Sequence, residues 1–233
     1  MNNLKKLIDQ AEIAREKKQT DKALTLLDKA IWQAGADKQY NLILDALGHK
    51  MIIWLHQYQS SGDDCYLELM AAEARAGYMI GTAKKVDKGF LAIMLHRLGN
   101  YHYYLEEFKE ASAFAKAALT NLNKKEAGRY GEYLAHYGVY SALEGDKKGI
   151  AHITEALHMV RQSRDLRTFH KMVVESGILI RLAIAAYAFG DEKFYVSALN
   201  EAQGLAKILN QEYKMPGRLD QIKKLKQNPG MLT

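Results

Sequence analysis

The dipeptide Gly-Asp occurs at Gly62-Asp63, Gly145-Asp146 and Gly190-Asp191, each time between two long stretches with helical periodicity. Glycine readily adopts the left-handed conformation that ends a helix, and aspartate accepts hydrogen bonds from the free backbone N–H groups that begin the next one. A turn of this kind repeated at regular intervals predicts one helix–turn–helix unit copied along the chain. The sequence therefore indicates an array of stacked helical hairpins.

Two further turns fit the same spacing without the glycine, at Lys18-Gln19 and at Glu106-Glu107. With them the chain divides into five hairpins with a period of about 40–45 residues. The predicted hairpins cover about residues 1–36, 37–81, 82–121, 122–164 and 165–213. We expect residues 1–213 to form a single repeat domain, and residues 214–233 to form a basic C-terminal capping helix and tail.

Composition also predicts an all-α protein of ordinary globular character. Apolar residues make up 48% and charged residues 26% of the 233 residues, as in folded domains. The strongest helix breaker is absent from everything before Pro216. The sequence has no apolar run long enough to span a membrane and no apolar core of a secretory signal near its start. Together with the single cysteine, Cys65, these features predict a cytoplasmic protein.

The polar residues show no pattern typical of catalysis or of nucleic-acid binding. The formal net charge of +6 comes largely from the last segment, and acids and bases alternate elsewhere, which argues against a nucleic-acid-binding face. The eight histidines contain no HExxH pair. Glu132 and His136 have a spacing that could hold a metal, but such pairs also arise by chance on helices. We expect no enzymatic activity, no metal and no cofactor.

The segment Leu95–Leu119 resembles the tetratricopeptide repeat. The residues at the signature positions of that repeat are Leu95, Leu98, Gly99, Phe108, Ala111, Ala115, Ala118 and Leu119. The resemblance implies a right-handed α–α superhelix whose concave groove is lined by the first helix of each hairpin, and it implies binding of a peptide or protein segment there. The chain departs from the family in its longer period, since the usual repeat has about 34 residues. It also lacks the proline that normally ends the second helix.

Carrying the groove positions of the family over to this chain selects thirteen candidate binding residues. These are His49, Ile52, His56, Ile93, His96, Asn100, Tyr103, Tyr104, Glu132, Val139, Ile180, Ile184 and Tyr187. Tyrosine and histidine present an apolar body with a polar tip, which suits the binding of an extended peptide. The alternative is that several of them fill the space between helices. Because His96 stands where the family's clamp for a C-terminal carboxylate needs lysine, we do not expect that clamp here.

The first helix of the fifth hairpin is apolar on nearly all sides, so other parts of the protein have to bury its surface. Leu219, Ile222 and Leu225 near the C-terminus share one stripe, with lysines between them. We expect this segment to cap the array within the chain. Alternatively, the same apolar face pairs two copies as a homodimer.

These features predict a non-enzymatic scaffold or adaptor that binds a protein or peptide in its groove. An alternative function is a regulatory sensor, in which a small peptide or metabolite changes the pitch of the superhelix. An enzyme built on the same helices is a third class, which the absence of a recognisable nucleophile–base pair argues against.

Overall fold

The computed structural model describes residues 3–230, and all regular secondary structure in that range is α-helical. The all-α prediction is confirmed. The helices are α1 (Asn3–Glu16), α2 (Thr20–Ala36), α3 (Tyr40–Ser61), α4 (Cys65–Lys84), α5 (Lys88–Tyr104), α6 (Phe108–Thr120), α7 (Ala127–Leu143), α8 (Lys148–Gln162), α9 (Thr168–Ala188), α10 (Glu192–Tyr213) and α11 (Gly217–Gln227).

The helices group into two compact parts, an N-terminal half of residues 1–101 and a C-terminal half of residues 102–233. In the N-terminal half, α1 pairs with α2 and α3 with α4, and α1 also contacts α3. In the C-terminal half, α7 pairs with α8 and α9 with α10, and α7 also contacts α9. In each half the second helix of one hairpin also packs against the first helix of the next, α2 against α3 and α8 against α9. The single continuous domain expected over residues 1–213 stays a prediction.

All five predicted turns lie where the sequence places them. The residues that end the first helix of each hairpin adopt left-handed backbone, with φ of 57° at Lys18, 72° at Gly62, 60° at Glu106, 103° at Gly145 and 73° at Gly190. The aspartates after the glycines begin the next helix as predicted. Their Oδ1 atoms accept hydrogen bonds from backbone N–H groups at 3.0 Å (Cys65), 2.9 Å (Lys148) and 2.9 Å (Phe194).

Small residues allow α7 and α8 to cross at very short distance. Gly138 of α7 faces Gly149 near the start of α8. A Cβ built on Gly138 would lie 2.7 Å from the backbone oxygen of Gly149. A Cβ on Gly149 would lie 2.3 Å from the backbone oxygen of Gly138. The two backbones are therefore in direct contact, and neither position accepts a side chain without movement of a helix.

The C-terminal helix α11 packs against α10 and belongs to the core of the C-terminal half. Ile222 and Leu225 are 1% and 0% exposed, and the Tyr195 hydroxyl donates a 2.7 Å hydrogen bond to the backbone oxygen of Leu225. The lysines Lys223, Lys224 and Lys226 are exposed.

The apolar side of α9 is covered within the chain. Its residues Ile178, Leu179, Ile180, Leu182 and Ile184 are buried in the same core. The apolar surface that motivated the homodimer alternative is thus already in contact with neighbouring helices of the same half.

Candidate functional site

The predicted groove residues of the N-terminal half differ in accessibility. His96 and Asn100 are buried, His49, Ile52 and Ile93 are half-buried, and His56 is exposed. His96 and Asn100 are each 4% exposed, which differs from the groove exposure expected for them. His49, Ile52, Ile93 and His56 retain accessible surface, and their role in binding stays a prediction.

His49 belongs to a polar group shared by α1 and α3. The Arg15 guanidinium donates a 3.0 Å hydrogen bond to His49 Nδ1, so the ring is neutral and carries its proton on Nε2. Nε2 faces Asp45 Oδ1 at 3.9 Å. Burial, and secondly the charge of Arg15, lower the pKa of His49 below 6.5. The fold therefore favours the neutral form of this histidine.

Acid is expected to destabilise the protein through His49. Because its pKa is lower in the folded state, the stabilisation is complete above pH 6.5 and is lost as the pH falls below that value through the folded-state pKa. His49→Gln keeps an acceptor for Arg15 and removes the titration. Between pH 7 and pH 5 (about the histidine range), the variant should lose less unfolding free energy than the wild type in urea titrations. Equal losses in both proteins would show that His49 does not couple to folding.

Four of the seven predicted residues in the C-terminal half are core residues. Tyr103, Val139, Ile180 and Ile184 are buried in its main cluster, instead of lining an open surface. For Val139, Ile180 and Ile184, the physical reason is that α7 and α9 contact each other directly, so apolar side chains of the two helices share one core. Tyr103 in addition packs against the Tyr140 ring in a tilted arrangement, with ring centroids 5.0 Å apart.

The remaining three predicted residues are accessible. Tyr104 and Glu132 are half-buried, and Tyr187 is exposed. Tyr187 lies against the Tyr195 ring at 5.6 Å between centroids, on the side of α9 that faces α10. Tyr104 and Glu132 instead lie close enough to Arg218 to interact with its charge, and this arginine is not among the predicted residues.

Arg181 of α9 and Arg218 of α11 place their guanidinium groups side by side. A Cβ built on Gly177 would lie 3.0 Å from Arg181 Nη1 and also 3.0 Å from Arg218 Nη2. Both terminal nitrogens therefore occupy the space that Gly177 leaves by having no side chain. Glycine within a helix costs about 1 kcal/mol relative to alanine. Here the absence of a side chain at Gly177 makes room for both guanidinium groups. We name Arg181 and Arg218 the arginine pair.

Neutral acceptors hold the arginine pair in position. Arg181 donates to the backbone oxygen of Gly177 at 2.8 Å and to Nε2 of His136. Arg218 donates to Gln221 Oε1 at 2.7 Å and to the backbone oxygen of Val173 at 3.5 Å. Because His136 Nε2 accepts this bond, its imidazole is neutral and Nδ1 carries the proton, 3.0 Å from the Tyr140 hydroxyl.

The charge of the pair is poorly compensated. Among residues 3–230, no carboxylate lies within ion-pair distance, 4.0 Å, of either guanidinium. Burial, and secondly the charge of Arg181, lower the pKa of Arg218 from its ordinary value to about 10, while Glu132 and Tyr104 act in the opposite direction. Arg218 is still a cation at neutral pH. The fold thus holds two like charges together in a half-buried site.

The described residues show no arrangement for a metal or a membrane. They contain no group of three or more His, Cys, Asp or Glu side chains that could hold a metal ion. Glu132 and His136 therefore do not belong to such a group. None of the helices from α1 to α11 is long and apolar enough to cross a bilayer.

Known structures share the arrangement of these helices. The chain is similar to the crystal structure of BtubC (BKLC) from P. vanneervenii, with a TM-score of 0.61 at 16% identity, over 86% of this chain and 78% of that one. It is also similar to the nearly identical TPR-like repeats of a putative kinesin light chain from Podosopora anserina, with a TM-score of 0.58 at 13% identity, over 91% and 99% of the two chains.

No protein-family model matches the chain, and no curated protein matches it by sequence. The likeness in helix arrangement nevertheless extends over most of its length. Since both structures were matched at low identity, the comparison defines the fold and not the ligand. The chain therefore has the fold of a tetratricopeptide-like helical repeat protein.

Proposed function

We propose that the protein is a non-enzymatic adaptor that binds a segment of another protein on the first helices of its hairpins. The observation that carries this proposal is the half-buried polar surface around Tyr104, Glu132 and the arginine pair. These side chains are held in place by core packing and hydrogen bonds and still reach solvent. Preorganised aromatic and arginine side chains are typical of sites where a few residues dominate binding. The cytoplasmic location predicted from the sequence stays a prediction.

The TPR-like fold supports the same proposal. This fold is generally a non-enzymatic scaffold for protein interactions. Stacked hairpins offer an extended surface without a deep cavity, which suits a peptide segment better than a small substrate. Tyrosine provides a large contact area at low entropy cost, so Tyr104 is the accessible residue best suited to contact such a segment.

A random peptide display library tests this function without knowledge of the partner. We expect the immobilised chain to select a family of related peptides. Tyr104→Ala should weaken their binding by roughly tenfold or more, as expected for an aromatic contact residue. Thermal unfolding of the variant, followed by circular dichroism, serves as the control for folding.

Trp32→Ala is the matched control for the loss of an aromatic residue. Trp32 is 81% exposed on α2, the second helix of its hairpin. This variant should bind the selected peptides as the wild type does. Failure to select any peptide family, or loss of binding in Trp32→Ala with full binding in Tyr104→Ala, would contradict the proposed site.

A further inference from the structure

We propose that the arginine pair, Arg181 and Arg218, binds a carboxylate group of an acidic protein segment. This inference rests on the adaptor function proposed above and specifies the chemistry of the ligand. A guanidinium group presents a rigid fork of N–H donors that fits a carboxylate, and two adjacent forks fix both its position and its orientation.

The arrangement is built from three helices of the C-terminal half. Arg181 comes from α9, Arg218 comes from α11, and His136 of α7 orients Arg181. Gly177 leaves the space in which the two guanidinium groups meet. Each acceptor bonded to the pair is a neutral oxygen or nitrogen, so positive charge remains available to a further, anionic partner.

Charge balance favours a monoanion. The two guanidinium charges are opposed by Glu132, the carboxylate that acts on Arg218 without forming an ion pair with it. One positive charge is left over, which one carboxylate would balance. A phosphate dianion would instead reverse the sign of the site and lie near the Glu132 carboxylate, at an electrostatic cost.

The C-terminal helix is part of this site. Arg218 lies beyond the five hairpins, and its position depends on the docking of Ile222 and Leu225 in the core. The family's carboxylate clamp uses other positions, among them those of His96 and Asn100, which are buried here. The arginine pair is thus a distinct arrangement, completed by α11.

The probe for this site is N-acetylglutamic acid α-amide, which carries the single side-chain carboxylate of a glutamate residue. The readout is the side-chain Nε–Hε NMR signals of the arginines in the full chain at constant ionic strength. We expect saturable shifts of the Arg181 and Arg218 signals, with a Kd in the millimolar range. N-acetylglutamine amide, which has the same shape without the charge, should cause no saturable shift.

Gly177→Ala separates the geometry of the pair from its charge. The variant keeps both arginines and should remain folded, because a flexible guanidinium can move away from the new methyl group. That movement separates the two forks, so we expect at least about tenfold weaker binding of the glutamate probe. Arg218→Gln should weaken it similarly, and Lys207→Gln, which removes an exposed cation of α10, should leave it unchanged.

Three results would overturn the inference. They are the absence of a saturable shift in the wild type, equal binding by Gly177→Ala, and tighter binding of inorganic phosphate than of the glutamate probe. The peptide selection distinguishes this failure from failure of the adaptor function. Selected peptides that depend on Tyr104 but not on the arginine pair would retain the adaptor function and reject the carboxylate site. A glutamate response with no selected peptide would reject the adaptor function alone.

Discussion

Gly149→Ala is expected to lower the free energy of unfolding by roughly 3 kcal/mol or to prevent folding of the C-terminal half. The new Cβ would lie 2.3 Å from the backbone oxygen of Gly138 and 2.6 Å from the backbone nitrogen of Ala142. Both are backbone atoms of α7, so no change of rotamer relieves the contact. The helices α7 and α8 have to separate, and the core residues between them lose contact.

Gly204→Ala in α10 is the matched control for this substitution. It introduces the same methyl group into a helix of the same half, with no atom within 4 Å of the new Cβ. Higher helix propensity should stabilise this variant by about 0.5–1 kcal/mol. Denaturant titrations of both variants measure the difference. An unchanged midpoint for Gly149→Ala would contradict the close crossing of α7 and α8.

Truncation after Met215 is expected to have the second large effect. Removal of α11 exposes the surface that Ile222 and Leu225 cover, and it removes the acceptor of the Tyr195 hydroxyl bond. Burial of an aliphatic side chain contributes about 1.5–3 kcal/mol, so the loss of two should be several kcal/mol. We expect a clearly lower midpoint of thermal unfolding, together with aggregation or self-association through the uncovered face.

A double substitution separates the loss of packing from the loss of chain length. Ile222→Ala with Leu225→Ala should destabilise the full chain, whereas Lys223→Ala with Lys224→Ala, on the exposed side of α11, should not. Size-exclusion chromatography and thermal unfolding measure both effects. A truncated chain that remains monomeric and equally stable would refute the capping role of α11.

Turn chemistry made most of the fold predictable from sequence. Glycine followed by aspartate marks three of the five turns directly, and the repeat spacing located Lys18 and Glu106, where the same backbone conformation is adopted without glycine. The turns between hairpins carry a weaker signal. Left-handed backbone also occurs at Lys38, Lys85 and Lys214, with φ of 55°, 52° and 57°. A lysine in the sequence does not indicate this conformation, whereas a glycine does.

The candidate site was predictable only in part. The repeat register selected Tyr104 and Glu132, which the structure places beside the arginine pair. It could not select Arg218, because α11 lies outside the repeat pattern and its packing depends on tertiary contacts. Arg181 did carry a signal, since it is a charged residue within the most apolar helix of the chain. A half-buried charge of that kind requires partners, and one of them, His136, comes from a distant segment.

The position of a residue within the repeat also did not distinguish groove residues from core residues on the first helices. Val139, Ile180 and Ile184 occupy groove positions in the family pattern, but α7 and α9 lie close enough to bury them against each other. Periodicity defines the direction of a side chain on its own helix. It does not define how near the next helix approaches.

The most direct test of the proposed function is photo-crosslinking of a selected peptide, followed by mass spectrometry of the crosslinked residues. The peptide carries a photoreactive residue at each position in turn. The adaptor proposal predicts crosslinks to Tyr104, to the first helices α7 and α9, and to Arg218. Crosslinks confined to the second helices α8 and α10 would contradict it.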